Sequence, residues 1–105
     1  MRVLFDQGTP LPLRWHLRPH EVDSAAELGW SELQNGELLD HAEAAGYDAL
    51  VTTDQQLRHQ QKLAGRRIRV LVLMTTSWPR IHPRASAVRT ALERLLEGQY
   101  AEVSF

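Results

Sequence analysis

The chain contains no cysteine among its 105 residues, which excludes disulfide bonds and thiolate metal sites. It has no apolar run near the roughly 20 residues that a membrane-spanning helix needs, and its N-terminus lacks a signal-peptide pattern. Internal repeats, a P-loop and a G-x-G-x-x-G motif are also absent. These absences predict one domain over residues 1–105, with no membrane partner and a cytoplasmic location.

Acidic residues are scarce in the middle of the chain. Residues 1–50 carry nine acidic side chains and three Lys or Arg, whereas residues 51–84 carry one acid and seven Lys or Arg. Such asymmetry is typical of a surface that binds phosphate-rich partners. The alternative interpretation is a solvated basic face that pairs with the acidic half after folding.

Short apolar runs alternate with helical patterns along most of the chain. The order predicts an α/β fold, a three-layer α/β/α sandwich around a central, mainly parallel sheet. Thr9 is expected to cap the first helix with Pro10 at its first position, residues 75–79 are expected to form a loop, and Pro83 is expected to start the last helix. Strands are predicted at residues 2–5, 20–23, 49–53, 70–74 and 100–105.

Three acids are predicted at one edge of this sheet. Asp6 and Asp54 each follow an apolar strand directly, and Glu37 lies in the first turn of the helix that starts at Asn35. Neighbouring strands are about 4.8 Å apart, so the strand-end carboxylates can share a hard cation such as Mg²⁺ or Mn²⁺. Each acid also has a structural interpretation: a turn residue, a helix cap, or a first-turn acid favoured by the helix dipole.

The remaining polar residues give weaker signals. The five histidines show no metal-ligand spacing such as H-x-x-x-H within one helix, and no serine has a nucleophile-elbow setting. Trp78, beside Arg80 at the end of a strand, can either stack on a nucleic-acid base or anchor its loop on the core.

Three segments resemble, in this order, the short PIN-like family: LFDQG at 4–8, NGELL at 35–39 and VTTDQ at 51–55. Members of this family are often filed as a domain of unknown function and are grouped with toxin–antitoxin nucleases. The resemblance runs over nearly the whole chain. The Thr-Thr-Asp element after an apolar strand is its most specific part.

The resemblance implies a PIN fold in which clustered acids bind Mg²⁺ or Mn²⁺ and cut RNA phosphodiesters. Asp6 and Asp54 match the family's metal-binding aspartates, and Glu37 would be a further ligand or would orient the attacking water. Expected partners are RNA, an antitoxin protein and a second copy in a homodimer. RNA phosphates would be held by Arg58, Lys62, Arg66, Arg67 and Arg80, and the edge of the site would include Asn35, Thr53 and Gln56.

Two departures from the family pattern favour a rival interpretation. Many relatives have an acid where this chain has Asn35, and a second acid where it has Gln56. The rival is an inactive PIN-like module that binds RNA or a protein partner. A receiver-type regulatory domain is disfavoured, because such domains need a second acid where Gln7 follows Asp6 and a Lys where Thr75 follows a late strand.

Overall fold

The structure, a computed structural model, describes residues 1–60 and 62–105, without the side chains of Asn35, Arg58 and Gln60. Five strands form one sheet in the order β2-β1-β3-β4-β5, and every neighbouring pair is parallel. The predicted α/β class with a parallel sheet is therefore confirmed. The strands are β1 Arg2–Phe5, β2 Glu21–Ser24, β3 Ala49–Thr52, β4 Arg69–Leu73 and β5 Tyr100–Val103.

Short helices connect the strands. None of those in the described residues is long and apolar enough to cross a membrane. Two segments are 3₁₀-helical, Leu11–His16 and His82–Arg84. The α-helices are α1 Asn35–Ala44, α2 Leu57–Gln60, α3 Trp78–Ile81 and α4 Ala85–Arg94.

The three central strands are buried on both faces, which explains why β1, β3 and β4 are mainly continuous apolar runs rather than alternating ones. On β1, Val3 and Phe5 belong to one apolar cluster and Leu4 to another, because successive strand side chains point to opposite faces. The first cluster includes Leu13 and Leu92, and the second includes residues of α1. This arrangement is compatible with the expected three-layer sandwich.

Several local predictions need correction. Thr9 does not cap a helix: Pro10 is the residue before the 3₁₀ segment, and the buried Thr9 hydroxyl turns inward. The expected loop at 75–79 gives way to α3, which starts at Trp78 with proline in its first turn, a position where the missing N–H costs nothing. Pro83 lies in a 3₁₀ segment, and α4 starts two residues later.

Candidate functional site

The strand order places Asp6 and Asp54 on either side of a topological switch point. The chain passes from β1 outward to β2 and then returns to β3 on the other side of β1. Sheets of order 2-1-3-4-5 bind ligands outside the carboxyl ends of the strands at this point, because the connecting segments diverge there and leave a crevice. Asp6 follows β1 directly, and Asp54 lies two residues after β3.

The Asp6 carboxylate is held by two threonine hydroxyls. Thr9 Oγ1 donates to Oδ1 at 2.7 Å, and Thr52 Oγ1 donates to Oδ2. Both threonines are buried, whereas Asp6 is half-buried. A carboxylate has about four acceptor sites, so each oxygen keeps capacity for a further partner. The hydroxyls fix the direction of the carboxylate while leaving it able to bind at the cleft.

Thr52 links the two aspartates. Besides donating to Asp6, its Oγ1 accepts the backbone N–H of Asp54 at 3.0 Å. Asp54 Oδ1 in turn accepts the N–H of Gln56 at 2.9 Å, the bond that defines an Asx turn. The expected helix-capping role of Asp54 is thus realised as a turn that leads into α2. One buried hydroxyl therefore sets the positions of both strand-end acids.

The third predicted acid, Glu37, lies on a helix and not at the end of a strand. Glu37 is exposed in the first turn of α1, and its backbone carbonyl accepts Nδ1 of His41 at 2.8 Å. Over residues 1–60 and 62–105, no three His, Asp or Glu side chains form a group that could hold a metal ion. Mg²⁺ is commonly bound by one or two carboxylates together with substrate phosphates and waters. Asp6 and Asp54 are carboxylates of the kind that this mode uses, but they do not make a closed protein cage.

A cleft of about 140 Å³ opens beside Asp6. Its walls come from the turn after β1, the segment after β2 and the start of α1. Trp30 supplies an aromatic wall and contacts Tyr47 and His41 edge to face, at ring centroid distances of 6.2 and 5.5 Å. The lining residues are Asp6, Gln7, Gly8, Ala25, Trp30, Ser31, Leu33 and Leu38.

The wall that carries Trp30 is fixed by a local network. Ser24 and Glu27 form reciprocal bonds, in which Ser24 N–H donates to Glu27 Oε1 at 2.9 Å and Glu27 N–H donates to Ser24 Oγ at 3.2 Å. The Arg14 guanidinium adds a bidentate contact to Glu27. This contact, with the backbone bond from Ser24, lowers the pKa of Glu27 to about 2. Trp30 N–H then donates to Ala25 O at 2.8 Å.

The residues predicted at the edge of the site lie as follows. Thr53 is half-buried against Gly8, where an added β-carbon would lie 2.5 Å from Thr53 Oγ1. Gly8 is therefore required by close packing across the switch point. Gln56 is exposed and contributes its backbone N–H to the Asp54 turn. The Asn35 side chain lies outside the described residues.

The basic residues do not form one surface. Arg66 and Arg67 precede β4 and so lie at the amino edge of the sheet, opposite Asp6. Arg66 binds Asp40 at 2.9 Å and Glu43 at 2.6 Å; burial opposes its charge, but these bonds outweigh the burial and raise its pKa. Arg67 contacts an acid on the same edge at 3.6 Å. These two arginines thus follow the alternative interpretation, a basic face paired with acids.

Arg80, another predicted phosphate contact, lies at the carboxyl edge of the sheet. It is exposed on α3, and its Nη2 donates to the carbonyl oxygen of Phe105 at 2.8 Å, just beyond β5. Lys62 is exposed in the connection before β4. The Arg58 side chain lies outside the described residues.

Three contributors to the site were missed by sequence reasoning. Thr9 and Thr52 were assigned to a helix cap and to a strand. For Thr52, a hydroxyl within a buried apolar run is itself a signal that it binds a neighbouring polar group. Trp30 lies in the connection between β2 and α1 and was not among the predicted site residues. Trp78, the aromatic that sequence analysis singled out, packs on the core of the other sheet face.

Comparisons with known proteins returned no similarity: no family model matches this chain, and neither a curated protein nor a solved structure does.

Proposed function

We propose that the protein is a PIN-like, Mg²⁺- or Mn²⁺-dependent ribonuclease that acts at the carboxyl edge of the sheet. The observation that carries the proposal is the pair Asp6 and Asp54 at the switch point, joined through the buried hydroxyl of Thr52. Threonine hydroxyls that orient carboxylates resemble the outer-shell partners of metal ligands. The resemblance of three sequence segments to PIN-like proteins supports the same conclusion.

In this proposal Asp6 and Asp54 hold the metal, and the RNA phosphate supplies further ligands. The metal would activate water and neutralise charge on the phosphate. Glu37, exposed at the start of α1, would orient the attacking water or serve as a further ligand. Trp30 offers a base an apolar wall next to Asp6, and Arg80 offers a positive charge to the phosphates at the same edge.

The experiment is cleavage of mixed RNAs with Mn²⁺ or Mg²⁺ by the wild-type chain and by Asp6→Asn and Asp54→Asn. Both variants should lose at least 100-fold in rate, because each removes a charge that compensates the metal. Asp48→Asn is the matched control: Asp48 lies at the amino edge, where it accepts the N–H of Arg2, and its loss should leave cleavage unchanged. Equal rates in all four proteins would indicate a contaminating nuclease and end the proposal.

The proposal extends to a toxin of a toxin–antitoxin pair. Expression of the wild-type chain should then slow bacterial growth unless an antitoxin protein is supplied with it. Expression of Asp6→Asn should not slow growth. Equal growth with both chains would remove the toxin role and leave the ribonuclease assay to stand by itself.

A second candidate function is a non-catalytic PIN-like module that binds RNA or a protein. It is favoured by the absence of a three-acid group among the described residues and by the engagement of both Asp6 oxygens with threonines. Calorimetric titration with Mn²⁺ separates the candidates. Saturable binding that Asp6→Asn abolishes supports the enzyme, and no heat at millimolar Mn²⁺ supports the module.

A further inference from the structure

Two histidines that play no part in the carboxylate site face one another on the other side of the sheet. His16 ends the first 3₁₀ segment and His82 starts the second. Their ring centroids are 5.2 Å apart, and the rings are inclined at 63°. Both residues are exposed, so the pair is open to solvent. Tertiary folding alone brings these rings together, because they lie far apart in the sequence.

Trp78 packs against both histidine rings. Its ring stacks on His82 at a centroid distance of 5.0 Å and an interplanar angle of 20°, and it contacts His16 at 5.7 Å. Trp78 itself packs against the buried cluster under α4. The half-buried indole therefore holds the two imidazoles against a rigid base, which reduces the entropy lost when both rings bind one ligand.

The ring nitrogens of the pair are available. Within the described part of the chain, neither ring takes part in a hydrogen bond or ion pair. His20 and His41 differ: His20 contacts the Met1 amino group at 3.0 Å and Glu93 at 2.8 Å, and His41 Nδ1 contacts a backbone carbonyl. A neutral imidazole with a free nitrogen is the commonest protein ligand for transition metals. No hydrogen bond therefore has to break before a ring nitrogen of His16 or His82 binds an ion.

The separation of the rings matches that of two imidazoles on one tetrahedral metal. A Zn–N bond is about 2.0–2.1 Å and the ring centre lies about 1.2 Å beyond the nitrogen, so a tetrahedral angle puts two ring centres about 5 Å apart. The observed 5.2 Å between His16 and His82 agrees with this value. A right angle at the metal would bring the centres closer, to roughly 4.5 Å by the same bond lengths.

We propose that His16 and His82 form a bidentate site for a divalent late transition-metal ion of the Zn²⁺ type, with water completing the coordination. Imidazole suits Zn²⁺, Cu²⁺ and Ni²⁺, whereas carboxylates suit Mg²⁺ and Mn²⁺, so the site is chemically distinct from that of Asp6 and Asp54. The ion ties the first 3₁₀ segment to the second. Since the unfolded chain does not hold these rings together, binding stabilises the fold.

The test is calorimetric titration of the full chain with ZnCl₂ in a buffer that holds millimolar Mg²⁺ to occupy the carboxylates. One saturable site is expected, weakened about tenfold or more in His16→Gln and in His82→Gln, because each variant leaves a single protein ligand. His41→Gln is the matched control: the His41 ring also contacts a tryptophan, Trp30, edge to face, and among the residues that the structure describes no second histidine ring packs beside it. His41→Gln should bind as the wild type does.

NMR spectra and Zn²⁺ binding by further variants test the same site independently. Zn²⁺ should shift the imidazole ¹⁵N resonances of His16 and His82 and should not shift those of His20, whose ring nitrogens are engaged. Trp78→Phe should retain binding, since the indole is a support and not a ligand. Equal Zn²⁺ affinity in the wild type, His16→Gln and His82→Gln would overturn the proposal, as would loss in His41→Gln. Asp6→Asn should leave Zn²⁺ binding intact, so failure here is distinguishable from failure of the ribonuclease proposal.

Discussion

Thr52 is the residue whose replacement tests the architecture of the site most directly. Its side chain is 1% exposed, and its hydroxyl donates to Asp6 and accepts from the N–H of Asp54. Thr52→Val keeps the volume and the β-branched shape but removes both bonds. A hydrogen bond to a charged group contributes about 1.5–3 kcal/mol and one between neutral groups about 0.5–1.5 kcal/mol. Because Asp6 is half-buried, solvent replaces part of the loss, and we expect a net cost of about 2 kcal/mol.

Thermal and urea unfolding measure this cost. For a domain of this size, about 2 kcal/mol corresponds to a Tm lowered by roughly 8–16 °C. Thr52→Ser keeps the hydroxyl and loses one methyl group, so it should cost less, about 1 kcal/mol. Thr90→Val is the matched control, because the Thr90 hydroxyl donates to a backbone carbonyl on the exposed side of α4. Its effect should stay within about 0.5 kcal/mol.

The same variant separates stability from site geometry. If the Thr52 hydroxyl orients Asp6 for a cation, Thr52→Val should weaken Mn²⁺ binding about 10–100-fold, as the loss of outer-shell partners does elsewhere. The titration is done well below the unfolding temperature of the variant. A Thr52→Val protein as stable as Thr90→Val, with unchanged Mn²⁺ affinity, would refute the reasoning about this hydroxyl.

Three further predictions concern the core, the cleft wall and the switch point. Leu92→Ala, at a fully buried position of α4, should lower the free energy of unfolding in urea by about 2–5 kcal/mol. Leu96→Ala, at a position that is 65% exposed, should change that free energy by less than about 0.5 kcal/mol. The pKa of Glu27 is about 2 in the folded chain against an ordinary 4.5. The ionised Glu27 carboxylate therefore stabilises the fold fully above pH 4.5, and this stabilisation is lost as the pH falls towards 2. The difference in urea midpoint between wild type and Glu27→Gln should shrink over that window, and a constant difference would contradict the assignment. Gly8→Ala should lower the Tm because its β-carbon meets Thr53 Oγ1, and the double variant Gly8→Ala/Thr53→Ala should recover part of the loss.

The central strands and the last helix followed from local patterns in the sequence. The apolar runs of β1, β3 and β4 were predictable because a strand buried on both faces must be apolar at every position. The helix α4 was predictable because Val88 and Leu92 recur at helical spacing. Short helices are harder to predict: α2 spans only Leu57–Gln60, and four residues contain little periodicity.

The candidate site was predictable in one respect. Asp6 and Asp54 each follow an apolar strand, and parallel strands bring their carboxyl ends to one edge. Local sequence does not determine whether β1 and β3 are neighbours. Strand order depends on the side of β1 to which each crossover connection returns the chain. Only the structure places the two acids at a switch point.

The sequence also showed where the charged residues lie, but not which of them pair. The basic stretch around Arg66 was visible in the sequence, but its ion pairs with Asp40 and Glu43 were not, because those acids come from α1. Likewise, the sequence supplies His16 and His82 without any spacing that would join them.

The sequence by itself therefore determined the α/β class, the strands and the two acids at their ends, since these depend on neighbouring residues along the chain. The tertiary structure decided which polar groups meet: Thr52 with Asp6, Arg66 with the acids of α1, and His16 with His82. These contacts depend on the packing of segments that are distant in sequence, and no local pattern encodes them.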